Sequence, residues 1–181
     1  MLDNQIIALI IQILLAGEAT AGIPGTPIKQ AFQPTMQGVN TQPTAYIYKV
    51  GDHRYGFTRR VDEWDTDDEV IKHIEIQQYE TTFQLSALAT QNPSTPNQYT
   101  ASDICNLCAS ILASSVAIQT LETQSPPMGI QKISNARNPY FLDDFQQNEA
   151  NPSFDFVISH KQVIKSTTPI ITTTDIGLYE V

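Results

Sequence analysis

The sequence has few of the residues on which several protein classes depend. Only two cysteines occur among 181 residues, too few for the disulfide framework of a small secreted domain. Ten basic residues stand against nineteen acidic ones, which gives a net charge of −9 and a pI near 4.6. Since Lys and Arg carry phosphate binding, this balance disfavours a protein that grips nucleic acid. It leaves open an acidic surface that surrounds DNA without binding it, or charge that serves solubility alone.

The sequence also lacks an apolar run long enough to span a bilayer. The run Ile6–Ala16 has no Lys or Arg before it, and Asp3 stands where a signal peptide needs positive charge. We interpret the run as a buried helix that is capped by Asp3 or Asn4 and stops at Gly17. The expected product is uncleaved and cytosolic, with no membrane partner.

What the sequence does contain is typical of one globular domain. Hydrophobic residues make up 41% of the chain and charged residues 16%, which excludes a disordered protein. A chain of this length can bury one sizeable core. We expect a single α+β domain over residues 1–165, followed by an extended C-terminal arm over residues 166–181.

A β-hairpin is predicted after a Gly/Pro-rich connection. The segment Thr44–Val50 is rich in aromatic and β-branched residues and indicates a strand. Gly51-Asp52 is a tight-turn signal, so His53–Val61 would return antiparallel. The returning strand holds three arginines, Arg54, Arg59 and Arg60.

An acidic run and a long strand follow. Asp62–Glu69 has six acids in eight positions, which is typical of a solvated loop. In Val70–Leu88 the apolar residues change parity between Ile76 and Tyr79, so a bulge near Gln77-Gln78 is predicted.

The pattern in the second half of the sequence predicts one more helix, followed by strands. Thr100 or Ser102 would cap a helix whose apolar face holds Ile104, Leu107, Cys108, Ile111, Ser115 and Ile118. Gly129–Ser134, Tyr140–Phe145 and Phe154–Lys165 read as strands. This order favours an α+β fold, an antiparallel or mixed β-sheet with a long hairpin, packed by two main helices.

No residue pattern supports catalysis, a metal site or a cofactor. Cys105 and Cys108 have CxxC spacing near a helix start, but Cys108 falls on the apolar face, so core cysteines are favoured over a redox site. The three histidines, His53, His73 and His160, are scattered and are expected on strand surfaces. The acidic run lacks the turn glycine and distant Glu of a calcium loop. Paired carboxylates such as Asp143 and Asp144 could in principle do acid/base work, but acids are numerous in this sequence and no cleft is observed.

Several stretches, in order across residues 44–160, resemble the neck terminator or tail terminator proteins of contractile-tailed phages. They are Tyr48–Phe57, Tyr79–Phe83, Asn97–Asp103, Asn138–Phe141 and Pro152–Phe156. The resemblance implies a virion structural protein in a homo-oligomeric ring, a hexamer, at the head–tail junction. Such a ring terminates the tail tube, contacts tail tube, sheath and neck connector proteins, and lets DNA pass through its lumen. A neighbouring connector or stopper ring is the alternative, and a small CxxC redox or binding protein is an alternative of another class.

The predicted hairpin supplies the candidates for subunit contacts. Its arginines could pair with a neighbour's acidic run or with the same chain's own acids. The nearly all-apolar first helix offers further contact surface. The subunit-interface candidates are Arg54, Tyr55, Phe57, Arg59, Arg60, Asp65, Asp67 and Asp68.

Overall fold

The structure is a computed structural model that describes residues 2–23, 25–31, 43–89, 97–142 and 148–169, with the backbone alone for 140–142 and 148–150. Three helices and seven strands lie in these ranges. In chain order they are α1 (Asp3–Thr20), β1 (Ile28–Gln30), β2 (Thr44–Asp65), β3 (Val70–Leu88), α2 (Ala101–Leu112), α3 (Ser115–Glu122), β4 (Gly129–Ile133), β5 (Tyr140–Leu142), β6 (Asn148–Ala150) and β7 (Ser153–Pro169).

The main sheet has five strands in the order β1-β2-β3-β7-β4. The strand β1 runs parallel to β2, and the other neighbours are antiparallel. The strands β5 and β6 form a separate antiparallel pair. The mixed sheet with packed helices confirms the predicted α+β class.

The core lies between α1, α2 and one half of the main sheet. Alternate residues of β3 and β7 face the helices, as expected for strands with one buried face. Phe83 and Phe156 stack with ring centroids 5.6 Å apart, and both are fully buried. Burying a side chain of this size stabilises the fold by about 1.5–3 kcal/mol.

Helix α1 extends further at both ends than predicted. Its N-cap is Leu2, whose N–H donates to Gln5 Oε1 at 2.9 Å, so the predicted cap at Asp3 or Asn4 was wrong. The predicted stop at Gly17 was also wrong, because the helix continues to Thr20. A Cβ at Gly17 would lie 2.3 Å from Cγ2 of Ile111. This glycine therefore allows α1 and α2 to approach closely.

The predicted second helix is two helices. Thr100 caps α2 as predicted, accepting from the Asp103 N–H at 3.2 Å while the Asp103 carboxylate accepts from the Thr100 N–H at 3.0 Å. The chain then bends by 54°, and Ser114 caps α3 by accepting from the Ala117 N–H at 3.2 Å. Because of the bend, Ile118 is 39% exposed and not on the apolar face. No described helix is by itself long and apolar enough to cross a membrane; α2 and α3 meet that test only as a bent pair.

The hairpin is longer than predicted, and its turn lies elsewhere. Gly51 pairs with Thr82 inside the continuous strand β2, so the predicted turn at Gly51-Asp52 was wrong. The chain reverses at residues 66–69, within the acidic run. The first half of that run belongs to β2, and only the second half is a turn. Cross-strand pairing with β3 thus overrides the local glycine signal.

The predicted bulge in β3 was also misplaced. The strands β3 and β7 pair residue for residue through Gln77 and Gln162. The irregularities are in β2: one is at Val50, and at the other residues 56–58 lie opposite Gln77 alone. The parity change of the apolar residues in β3 is therefore a true change of sheet face.

The last predicted strand is present and extends to Pro169, which pairs with Val70. Residues 166–169 thus lie in β7, and residues 170–181 are outside the described part of the chain. The division of the chain at residue 165 stays a prediction.

Candidate subunit interface

Half of the main sheet continues beyond the helices. We call this part the sheet extension; it consists of β2 from Val50, β3 up to Glu80 and β7 from Lys161. All residues of β2 over 50–60 and of β7 over 161–169 are exposed. At about 3.3 Å per residue, the extension is about 35 Å long. Within the described ranges this three-stranded sheet is open on both faces and both edges, which is unusual for an isolated protein.

A chain of polar contacts fixes the base of the extension to the start of α1. Lys49 Nζ donates to Asp3 at 2.8 Å and to Asp52 at 2.5 Å. Thr81 Oγ1 donates to Asp52 at 2.7 Å and lies 2.8 Å from His160 Nε2. These contacts join α1, β2, β3 and β7, so they hold the extension in a fixed direction.

The charged groups at this base form ion pairs. Burial would lower the pKa of Lys49, but its bonds to Asp3 and Asp52 outweigh burial and raise it. Burial would raise the pKa of Asp52, but bonds from Lys49 and Thr81 outweigh it and lower it. Both groups are therefore held in their charged forms.

His160 departs from the prediction that it would lie on a strand surface. Its side chain is buried and stacks on Tyr79 with centroids 5.8 Å apart. Burial lowers its pKa, because the charged imidazolium is disfavoured in an apolar setting. His53 and His73 lie on the surface of the extension. His73 Nδ1 is 2.7 Å from Asp62, and its Nε2 is 2.9 Å from Thr168 Oγ1.

The bulge in β2 displays an aromatic residue to solvent. Gly56 has a φ of +68°, a conformation that favours glycine. The Gln77 side chain fills the bulge: its Nε2 donates to the Tyr55 carbonyl at 3.1 Å, and its Oε1 accepts from Thr58 Oγ1 at 2.9 Å. Phe57 projects from this supported loop and is fully exposed. The bulge thus directs this aromatic side chain away from the sheet.

The arginines on β2 differ in their partners. Arg54 lies over the Tyr79 ring, 5.8 Å from its centroid, in a cation–π arrangement. Arg60 pairs with Glu75 of β3 at 3.0 Å. Arg59 has no ion-pair partner among the described residues. Of the three, Arg59 is the one most available to a neighbouring molecule.

The tip of the extension is acidic. Asp65 pairs with Lys72, whose hydrogen bond lowers the pKa of Asp65. Asp65 Oδ1 also accepts from the Asp67 N–H at 3.1 Å, which shapes the turn. Asp67 and Asp68 are exposed and have no ion-pair partner in the described ranges. The tip therefore presents uncompensated negative charge.

The described contacts do not join the arginines to the acidic run within one chain. Arg60 binds Glu75, whereas Asp62 binds His73 and Asp65 binds Lys72. Cross-strand register decides these pairs, since opposite residues of β2 and β3 lie closest. Pairing of the arginines with a neighbour's acidic tip stays a prediction.

Sequence reasoning missed the apolar residues on both faces of the extension. Register places Val61, Ile74, Ile76 and Val163 on the face away from the helices, and Trp64, Ile71 and Ile164 on the other. Of these, Trp64 and Ile164 are more than half exposed. The parity change in β3 was the available signal, but it was assigned to a bulge. Apolar side chains on both faces of an uncovered sheet indicate contacts with other molecules.

The other candidate chemistries lie away from this surface. Cys105 and Cys108 are fully buried free thiols, and burial raises both pKa values to about 12. The thiolate needed for redox chemistry is thus strongly disfavoured, and the core interpretation is confirmed. The described residues contain no cluster of three or more metal-binding side chains. Asp143 and Asp144 lie outside the described residues.

Comparison with known families shows the family to which the chain belongs. The family model described as E217 gateway protein gp29 matches residues 5–170, which is most of the chain. The chain belongs to the E217 gateway protein gp29 family. No curated protein matches the chain significantly.

The gateway family is a phage head–tail structural family, so membership supports a virion-associated structural protein. At that level the expectation from the sequence is confirmed. The match does not single out a neck terminator. The matched range includes the whole sheet extension.

Proposed function

We propose that this gateway family member is a ring-forming subunit of the head–tail junction that terminates the tail tube and joins it to the neck. The sheet extension makes the principal contacts between subunits. The ring is a hexamer with DNA in its lumen, and it contacts tail tube, sheath and neck connector proteins. The chain is made in the host cytoplasm and acts in the virion.

The observation that carries the proposal is the uncovered extension with apolar side chains on both faces. A lone chain would leave Trp64, Ile164 and Phe57 in water, whereas a ring of copies buries the same patch at every junction. Aromatic residues of this kind often dominate binding energy at interfaces.

Charge supports the same arrangement. Arg59 is unpaired among the described residues, and the exposed acids Asp67 and Asp68 lie at the tip. Opposite charges on different parts of one surface favour head-to-tail contacts between identical copies. The net charge of −9 also favours a lumen that DNA can traverse without specific binding.

The role is structural and includes no catalysis or cofactor. The buried thiols, with pKa values near 12, argue against the CxxC redox alternative. A connector or stopper ring of the neck would use the same surface. Electron microscopy of particles carrying labelled subunits would separate the two by position.

The test is the oligomeric state of the full chain, measured by light scattering after size exclusion, alone and with tail tube protein. We expect a discrete ring that Phe57→Asp weakens at least tenfold. Tyr99→Asp is the matched control, since Tyr99 is an exposed aromatic outside the extension. A chain that stays monomeric in both conditions would refute the proposal.

Charge reversal then tests the arginines. Arg59→Glu should weaken assembly more than Arg60→Glu, because Arg60 already has an intrachain partner in Glu75. The Arg59 effect should diminish at high salt, which screens exposed charges. Unchanged assembly by Arg59→Glu would remove Arg59 from the interface.

A further inference from the structure

A second surface that no described residue covers lies on the helices, at the opposite end of the molecule from the tip. The C-terminal half of α1 and the α2–α3 junction enclose a cleft of about 570 Å³. Its walls include Leu9, Ile13, Ile111 and Ala117, and none of its lining residues is charged. Val116, at its edge, is 70% exposed. A cleft of this size and character suits several apolar side chains of a peptide.

The segment 170–181 has the matching chemistry. Six of its twelve residues are apolar or aromatic: Ile170, Ile171, Ile176, Leu178, Tyr179 and Val181. It follows Pro169, which pairs with Val70 at the tip of the sheet extension. The segment therefore starts at the point of the described chain that projects furthest from the helices.

Distance excludes the cleft of the same chain. The start of α1 is tied to Lys49, which pairs with Phe83, thirteen residues along β3 from Val70, or about 43 Å at 3.3 Å per residue. The helix then runs away from the extension, because Glu18 near its other end binds Thr26 at 2.8 Å, just before β1. The cleft begins at Leu9, about 9 Å further along α1.

The separation is therefore about 52 Å along the molecule. Twelve fully extended residues span at most about 43 Å. Even when fully extended, segment 170–181 is therefore too short to reach the cleft of its own chain. A neighbouring copy whose helices lie near this tip has no such restriction.

We propose that segment 170–181 of one copy docks into the α1–α2–α3 cleft of a second copy. The inference rests on the proposed self-assembly and names a second junction in it, separate from the faces of the extension. Such an exchange is head-to-tail, so it closes a ring when the rotation between copies permits. It links the tip of each extension to the helix layer of the next subunit.

The experiment compares self-association of full-length variants by sedimentation velocity. Val116→Asp places a charge at the cleft edge, and Leu178→Asp places one in the segment. Each should weaken self-association at least tenfold, and the double variant should be no weaker than either single variant, because both remove one junction. Gln119→Asp on the exposed side of α3 and Thr173→Asp in the segment are the matched controls. Unchanged thermal melting of Val116→Asp confirms that it folds.

The outcomes separate this inference from the proposed function. If assembly is weakened by Phe57→Asp but not by Leu178→Asp, the extension contacts stand and the docking inference is overturned. Weakening by Val116→Asp without any effect of Leu178→Asp would give the cleft a different occupant, and it also overturns the inference.

If the full chain stays monomeric, a labelled synthetic peptide of residues 170–181 is titrated into it and followed by fluorescence anisotropy. Binding that Val116→Asp weakens and Gln119→Asp leaves unchanged supports the docking. Absence of binding refutes it.

Discussion

At the contact between α1 and α2, two opposing effects decide whether Gly17→Ala stabilises or destabilises the protein. Replacing Gly17 by Ala improves helix propensity by about 1 kcal/mol. The new Cβ would lie 2.3, 2.8 and 3.0 Å from three side-chain carbons of Ile111. Real contacts at the shortest of these distances do not occur, so one helix or the Ile111 side chain must move.

Ile111 lines the cleft between the helices together with Gly17, but two properties limit its freedom to move. Its β-branched side chain has one strongly preferred rotamer in a helix, and it is largely buried. Overpacking of a helix contact costs about 1–3 kcal/mol, and three close carbons place this site at the upper end. Gly17→Ala should therefore lower the free energy of unfolding by about 2 kcal/mol, which lowers Tm by about 4–8 °C for a chain of this size.

Urea denaturation followed by circular dichroism measures this loss. Gly51→Ala is the control, since a Cβ there has no neighbour within 4 Å, and its stability should change little. Ile111→Ala should relieve the clash, so that adding Gly17→Ala to it costs nothing or stabilises. If Gly17→Ala alone is more stable than the wild type, helix propensity decides and the close-approach reasoning is wrong.

Three further predictions concern buried groups. Burial lowers the pKa of His160, so as pH falls this side chain is protonated in the unfolded chain before it is protonated in the folded one. The free energy of unfolding should therefore decrease below about pH 6.5. His160→Gln should flatten this dependence in urea titrations. Burial raises the pKa of Glu18, so the stability of the folded chain should fall as pH rises and this carboxyl group loses its proton. Glu18→Gln keeps an acceptor for the Thr26 N–H and should raise the urea midpoint at pH 8 more than at pH 5. A lower midpoint at pH 8 would contradict this. Cys105 and Cys108 should resist a thiol-reactive dye at pH 8 in the native state and react fully in denaturant; rapid native labelling would show that they are accessible.

Local chemistry explains which elements were predicted well. The Thr100–Asp103 capping pair acts within four residues, so its role follows from the sequence alone. The alternation of Phe83 and Leu85 with polar neighbours likewise predicts a strand with one buried face. In both cases the deciding contacts are near in sequence or repeat with a fixed period.

The elements predicted wrongly depend on distant partners. Gly51 resembles a turn residue, but Thr82 pairs with it and β2 continues. Gly17 resembles a helix end, but Ile111 packs on it from another helix. The exposed apolar faces of the extension were missed because a parity change in β3 has two explanations, a bulge or an uncovered second face. Only the register with β7 separates them.

The sequence by itself determined the α+β class, the acidic balance, the buried cysteine pair and the resemblance to phage head–tail proteins, because composition and short-range periodicity carry that information. The tertiary structure alone decided that one sheet extends about 35 Å beyond its helices and leaves both faces open. The physical reason is that exposure depends on where the helices end relative to the strands. That relation is set by contacts between residues far apart in the chain, such as Lys49 with Asp3.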